Sequence, residues 1–175
     1  LRTLHACQGT YVAFCEGDDY WHNPLKLQKQ VDYLQGHPEC GMVFSSYDVY
    51  HVATRKRIRD YNNYRNWVIP ENLSIYDILE SKDGRSRAIT TCTVMANRML
   101  CEEIMNADPF LHQSNYFLMG DTQLWAEIAA KARLHYIPES LATHNITDES
   151  ATRSKNVIKI LRFGISGANL QLYLC

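Results

Sequence analysis

Hydrophobic and polar positions follow two rhythms along the chain, and together they predict an α/β fold. Continuous apolar runs at 11–15, 41–52 and 87–96 are typical of strands, as are two shorter runs, 135–137 and 141–143, on either side of Pro138. Apolar residues three or four positions apart predict helices at 1–7, 24–36, 75–81, 98–106 and 120–132. Asn23 and Pro24 are favourable residues at a helix N-terminus, so we expect the second helix to begin there.

Two of the predicted helices have faces that can be assigned. In helix 24–36, Leu27, Val31 and Leu34 should point inward, with Lys26 and Gln30 elsewhere. A last helix, within 154–175, follows a domain spanning 1–153. Its predicted inward face consists of Val157, Ile160, Leu161, Ile165, Ala168 and Leu172. We expect this face to dock on the domain, and a helix that lies on a membrane surface or on a partner is the alternative.

An acidic stretch follows the first predicted strand and holds Glu16, Asp18 and Asp19, next to Tyr20 and Trp21. Ligands of open α/β sheets bind at the carboxyl ends of strands, and this stretch occupies such a position. Crowded carboxylates repel one another, and a divalent cation turns that repulsion into binding. In an extended backbone, Glu16 and Asp18 share a face and Asp19 opposes them. An Asp-rich turn without any ligand is the alternative interpretation.

Two further residues carry candidate chemistry. Asp121 begins the helix at 120–132, where it either caps the helix or serves as an ionised general base; the two roles are compatible. His144 stands at the end of a predicted strand. It is either a structural histidine or a third metal ligand beside two carboxylates.

Composition excludes several classes of protein. The net charge of −1 gives no general case for nucleic-acid binding or for an electrostatically held membrane protein. No stretch approaches the roughly 20 apolar residues that span a bilayer. Six scattered cysteines form no CxxC pair. We interpret them, including Cys15 and Cys92 within predicted strands, as small buried residues of a reducing, cytoplasmic compartment.

The motifs resemble those of family 2 glycosyltransferases. The run from Gly9 to Trp21, GTYVAFCEGDDYW, continues into NPLKLQKQV at 23–31 and resembles the acidic motif of that family and the helix after it. GDTQLW at 120–125 resembles its second acidic motif, and 141–153 its closing segment. The resemblance covers the chain to about Arg153. It implies the GT-A fold, a Rossmann-like mixed sheet flanked by helices that binds nucleotide-diphospho-sugars.

The resemblance also implies roles for individual residues. Glu16, Asp18 and Asp19 match the acids that bind the donor's ribose and diphosphate through Mg²⁺ or Mn²⁺, and Asp121 matches the catalytic base of inverting members. The loop at 59–72 and the acceptor-side residues Trp21, Arg87 and Thr91 fall where such enzymes shape the acceptor site. The implied partners are a nucleotide-diphospho-sugar and a saccharide or lipid-linked acceptor, in bacterial surface-polysaccharide synthesis at the inner face of the membrane.

The sequence departs from the family pattern in three places. The first acid is Glu16, which is one methylene longer than Asp. Thr147 stands where a metal-reaching histidine is common, and His144 lies three residues earlier. The β-α-β unit that precedes position 1 in the family is missing, so we expect an N-terminally truncated domain. The alternative function is a non-catalytic module that binds nucleotide-sugars or self-associates through its exposed edges.

Overall fold

The computed structural model describes residues 2–79, 89–114, 116–147 and 156–175. The candidate residue Arg87 lies outside these ranges. The described helices are α1 (Arg2–Ala6), α2 (Lys26–Gly36), α3 (Tyr61–Tyr64), α4 (Ile75–Leu79), α5 (Arg98–Ala107), α6 (Pro109–Gln113), α7 (Gly120–Lys131) and α8 (Val157–Leu174). The described strands are β1 (Tyr11–Ala13), β2 (Tyr20–Trp21), β3 (Cys40–His51), β4 (Lys56–Ile58), β5 (Met95–Asn97) and β6 (Arg133–Ile146).

These strands form one mixed sheet in the order β1-β5-β3-β6-β2, and β4 pairs with the end of β3. The central pair β3 and β6 is parallel, whereas the other pairs are antiparallel. Successive residues of β3 point to opposite faces: Met42 and Phe44 pack with α5 and α7 residues on one face, and Val43 packs with Leu34 of α2 on the other. The α/β class predicted from the sequence is confirmed, with a mixed sheet between helices.

Strand β6 is one irregular strand, where the sequence predicted two short strands around Pro138. Its first part pairs with β3 as far as Ile137 opposite Ser45, and pairing resumes with Ser140 opposite Ser46 and Ala142 opposite Tyr47. The additional residues on β6 form bulges, which accommodate a proline that cannot donate to a ladder. After the bulges, β6 also pairs with β2, with Thr143 opposite Tyr20.

Other predicted boundaries need correction. Strand 11–15 ends at Ala13; Phe14 N–H still donates to the Val94 carbonyl at 3.0 Å, and the chain turns at 17–18. The predicted strand at 87–96 is, in its described part, a 3₁₀ turn (Thr91–Thr93) followed by β5. Helix α2 begins at Lys26, since Asn23 instead closes a tight turn by accepting from Leu25 N–H at 2.9 Å.

The cysteine interpretation holds in part. All six thiols are free, and Cys40, Cys92 and Cys101 are buried. Cys15 is exposed, because it lies beyond the end of β1 in the turn that follows. Among the described helices, none combines the length and the apolar character that crossing a bilayer requires.

Helix α8 docks through a different face from the predicted one. Its buried residues are Ser166 and Leu170. Leu161, Ile165 and Leu172, which were expected to point inward, are exposed. Leu170 packs with Leu111 and Phe117, which need only a narrow strip of the helix. The wider apolar face is therefore turned away from the domain.

Candidate functional site

The acidic stretch forms a turn between β1 and β2. Asp19 N–H donates to the Glu16 carbonyl at 3.1 Å, which closes the turn and brings residues 16 and 19 together. The expectation that Glu16 and Asp18 share a face is wrong, because it assumed an extended backbone. Asp18 is exposed, and its carbonyl oxygen accepts from the Asn145 side chain.

Asp19 is the anchor of the site. Its side chain is fully buried, and its Oδ1 accepts from the backbone N–H of Asn145 at 2.8 Å. His144 Nδ1 lies 3.1 Å from Oδ2. Burial by itself raises the pKa of Asp19, but the hydrogen bonds from His144 and Asn145 outweigh it and hold the pKa below its usual value. Asp19 is therefore a fixed, ionised carboxylate.

Glu16, Asp19 and His144 form a group of potential metal ligands. One ligand atom from each lies within 4.8 Å of the others. Burial, followed by the charges of Asp19 and Asp121, raises the pKa of Glu16. Burial lowers the pKa of His144, but the hydrogen bond and charge of Asp19 outweigh this and raise it. Asp19, with a smaller contribution from Glu16, thus favours the imidazolium form of His144.

The donor chemistry of this group fits a divalent cation. Two carboxylate oxygens and one imidazole nitrogen suit Mn²⁺ better than Mg²⁺, which prefers oxygen ligands alone. A cation bound here takes the place of the imidazolium proton, so its affinity should increase with pH. Of the predicted ligands, the structure brings Glu16 and His144 into this group. Asp19 takes the position that the sequence assigned to Asp18.

Asp121 lies in the first turn of α7 and is exposed. Its Oδ2 accepts from the Thr91 hydroxyl at 3.0 Å, and its Oδ1 accepts from Thr122 N–H at 2.7 Å. Its charge is among those that raise the pKa of Glu16. The charge of Asp121 therefore reaches Glu16, although 105 positions separate the two residues in the chain.

The 3₁₀ turn at Thr91–Thr93 links the remaining candidates. Thr91 orients Asp121, and the carbonyl of Cys92 accepts from the Trp21 indole N–H at 2.9 Å. Trp21 is half-buried, and the Lys26 ammonium lies 4.8 Å from the centroid of its ring. Both the N–H and one face of the indole are thus engaged within the protein.

The sequence missed two buried polar residues behind this turn. Lys26 and Gln30 are 1% and 0% exposed, although the pattern placed them away from the core. Lys26 Nζ donates to Gln30 Oε1 at 2.7 Å, and Gln30 Nε2 donates to the Thr93 carbonyl at 2.7 Å. Burial lowers the pKa of Lys26 to about 8. The spacing of Lys26 and Gln30, four residues apart on one helix, was the available signal for this pair.

Comparison with curated proteins gives a short similarity. No protein-family model matches the chain. A stretch of 41 residues is 61% identical to proteins described as uncharacterized from Mycobacterium bovis and from two strains of Mycobacterium tuberculosis. The matched stretch covers 23% of this chain and 12% of the length of each relative. Function therefore has to be argued from the site.

Proposed function

We propose that the chain is part of a metal-dependent, inverting glycosyltransferase with a GT-A fold, which transfers a sugar from a nucleotide-diphospho-sugar to an acceptor hydroxyl. The observation that supports this most is the ligand group of Glu16, Asp19 and His144 with the exposed carboxylate of Asp121 close enough to act on it. A metal-held diphosphate and a carboxylate base near the transferred carbon are the two parts that such a reaction needs.

The metal proposed is Mn²⁺, held by Glu16, Asp19 and His144. When bound, it would supply positive charge against the diphosphate of the donor. Within the protein, Asn145 N–H keeps Asp19 in place by its 2.8 Å hydrogen bond. Because Asp19 is ionised and buried, it is the ligand whose geometry is fixed before the metal arrives.

Asp121 would act as the general base. The Thr91 hydroxyl donates to one carboxylate oxygen, and Thr122 N–H donates to the other, so the orientation of the group is fixed. The proton of the acceptor hydroxyl passes to Asp121 while the acceptor oxygen forms a bond to the anomeric carbon. The bond from that carbon to the diphosphate breaks, and its electron pair leaves with the nucleoside diphosphate. Attack from the face opposite the leaving group inverts the configuration.

Metal binding can be tested with variants of one turn. We expect calorimetric titration with Mn²⁺ to show binding that Glu16→Gln and Asp19→Asn each weaken by at least about 10- to 100-fold, the range typical for losing a residue that only supports a metal ligand. Asp18→Asn is the matched control, since Asp18 lies in the same turn but outside the ligand group. An equal loss of Mn²⁺ affinity in Asp18→Asn and Asp19→Asn would show that the overall negative charge of the turn, not this ligand group, binds the ion.

The rate of sugar transfer tests whether Asp121 is the general base. With a panel of nucleotide-diphospho-sugars, donor consumption followed by mass spectrometry should be about 10²–10⁴-fold slower in Asp121→Asn. Asparagine keeps the helix-start hydrogen bonding, so the fold should be unaffected. Unchanged turnover would remove Asp121 as the base. Mn²⁺-dependent binding of a nucleoside diphosphate without any transfer would favour the non-catalytic module.

A further inference from the structure

Helix α8 has two faces of opposite character. Its inner face contacts the domain through Ser166, whose hydroxyl oxygen accepts from Leu118 N–H at 2.8 Å, and through Leu170, which is buried with Leu111 and Phe117. The helix is therefore fixed to the domain along one side, and its orientation determines what the other side presents.

The outer face is apolar along nearly its whole length. At about 100° per residue, its members cover an arc of about 160° and a length of about 24 Å. Gln171 also falls within this arc, where its amide donates to the Leu79 carbonyl of the domain. Its large apolar side chains are 45–80% exposed. The members are Val157, Ile158, Ile160, Leu161, Gly164, Ile165, Ala168 and Leu172. We call this set the outer face of α8.

One border of this face is basic and aromatic. Helix α8 contains no Asp or Glu, and of its two charged residues Arg162 lies at this border, whereas Lys159 lies on the opposite side of the helix. Beside it stand three exposed aromatic side chains, Phe110, Tyr116 and Tyr173. The hydroxyl of Tyr116 accepts from Asn169 Nδ2 at 3.2 Å, which ties this aromatic cluster to α8. An apolar face with cationic and aromatic borders is the pattern of helices that lie in a lipid–water interface.

We propose that the outer face of α8 binds the surface of an anionic phospholipid bilayer. Two observations favour a bilayer over a second copy of the chain. An arc of about 160° is wider than the seam that pairs two helices, and a flat lipid surface can cover it. The positive charge of Arg162 at the border of the face is complemented by anionic lipid, whereas a second α8 brings only a further cation. This inference does not depend on the proposed transferase activity.

Binding in this way has a spatial consequence for the candidate site. The segment held by Ser166 includes Leu118, three residues before Asp121. Met119 Cε lies 3.0 Å from the Cβ position at Gly167 of α8. The helix that would contact lipid thus packs directly on the residues that lead into α7. A lipid-linked molecule held in the membrane would reach the protein on this side.

The experiment measures sedimentation of the protein with vesicles. Vesicles of phosphatidylcholine alone are compared with vesicles that also contain phosphatidylglycerol. We expect binding to the mixed vesicles, and at least a tenfold loss in the double variant Leu161→Glu/Ile165→Glu, since burying each apolar side chain contributes about a factor of ten. Met99→Glu and Val68→Glu, at exposed apolar positions outside α8, are matched controls that should bind as the wild type does.

A second variant keeps the test independent of folding. Arg162→Gln leaves the outer face intact and should lower binding to phosphatidylglycerol vesicles about fivefold, with little effect on phosphatidylcholine vesicles. Circular dichroism should show unchanged melting for Arg162→Gln and for Leu161→Glu/Ile165→Glu. Absence of vesicle binding by the wild type would overturn the proposal. A dimer by light scattering that Leu161→Glu/Ile165→Glu dissociates, without vesicle binding, would overturn it in favour of a second copy.

Discussion

Replacing Lys26 with methionine should change how the stability of the protein responds to alkaline pH. The lysine is 1% exposed, and burial lowers its pKa from 10.5 to about 8. In the unfolded chain the ammonium is solvated and recovers its ordinary pKa. The difference of about 2.5 pKa units corresponds to about 3 kcal/mol at 1.36 kcal/mol per unit. This is the free-energy cost of keeping a protonated Lys26 in the folded protein.

The sign follows from the protons bound in each state. Below pH 8 Lys26 is protonated in both states, so the cost is fully present. Between pH 8 and 10.5 the unfolded chain holds a proton that the folded protein has released, so the free energy of unfolding rises with pH. Buried acids such as Tyr47, whose pKa is raised to about 12 by burial, act in the opposite direction. They are common to both proteins and cancel when wild type and Lys26→Met are compared.

Near neutral pH the two proteins should differ little. Methionine relieves the buried charge, but it leaves Gln30 Oε1 without its donor, at about 1–3 kcal/mol, and removes the contact with the Trp21 ring, at about 1–2 kcal/mol. The pH dependence is therefore the informative quantity. The measurement is urea unfolding followed by tryptophan fluorescence under reducing conditions. Between about pH 7 and about pH 10, the free energy of unfolding of the wild type should increase by about 2 kcal/mol relative to that of Lys26→Met.

A matched control makes this result decisive. Lys29→Met is the same exchange on α2, at a lysine that is part-exposed and paired with Glu139. If the difference between wild type and Lys26→Met stays constant over the whole pH range, the lysine is not buried as a cation. The same conclusion holds if Lys29→Met reproduces the rise.

Three further predictions concern packing, capping and titration. By urea unfolding, Gly41→Ala should cost about 1–3 kcal/mol of stability, because the added Cβ would meet two neighbouring side chains at 2.7 Å. Gly36→Ala is the control and should be near neutral, since a Cβ added there meets no atom within 4 Å. Asn97→Ala should cost about 1 kcal/mol by the same measurement, since the Asn97 side chain caps α5; no loss would mean the cap contributes nothing. Asp19→Asn should lower the pKa of His144 in metal-free protein, seen by NMR of the imidazole protons, and an unmoved pKa would contradict the contact between these two side chains.

The helices and strands that could be predicted from the sequence are those in which apolar side chains form a continuous stripe or run. The stripe of Leu124, Trp125 and Ile128 predicted α7, and the run around Met42 predicted β3. Lys26 was missed because a hydrophobic pattern counts lysine as polar, whereas its stem and ammonium are buried here by an aromatic ring and a glutamine.

The arrangement of the candidate site was not predictable from the sequence. The sequence pointed to Glu16, Asp18, Asp19, Asp121 and His144, and alternation paired Glu16 with Asp18 as metal ligands, whereas the structure groups Glu16 with Asp19 and His144. A single backbone hydrogen bond, from Asp19 N–H to the Glu16 carbonyl, decides which carboxylates converge, and residue types do not encode it. The outer face of α8 was misassigned for a related reason, because periodicity finds an apolar face but does not say whether the domain covers it.

The bulges in β6 make the candidate metal group sensitive to how the whole sheet assembles. From Ser45 to Tyr47 on β3 the partner strand runs from Ile137 to Ala142, so β6 holds three extra residues just before it delivers His144 beside Asp19. Deleting one of them would shift the later half of β6 by one step and present Asn145 in place of the imidazole. Metal affinity would thus report the alignment of β6 with β3, and a misaligned sheet would lack the contact between His144 and Asp19, residues 125 positions apart.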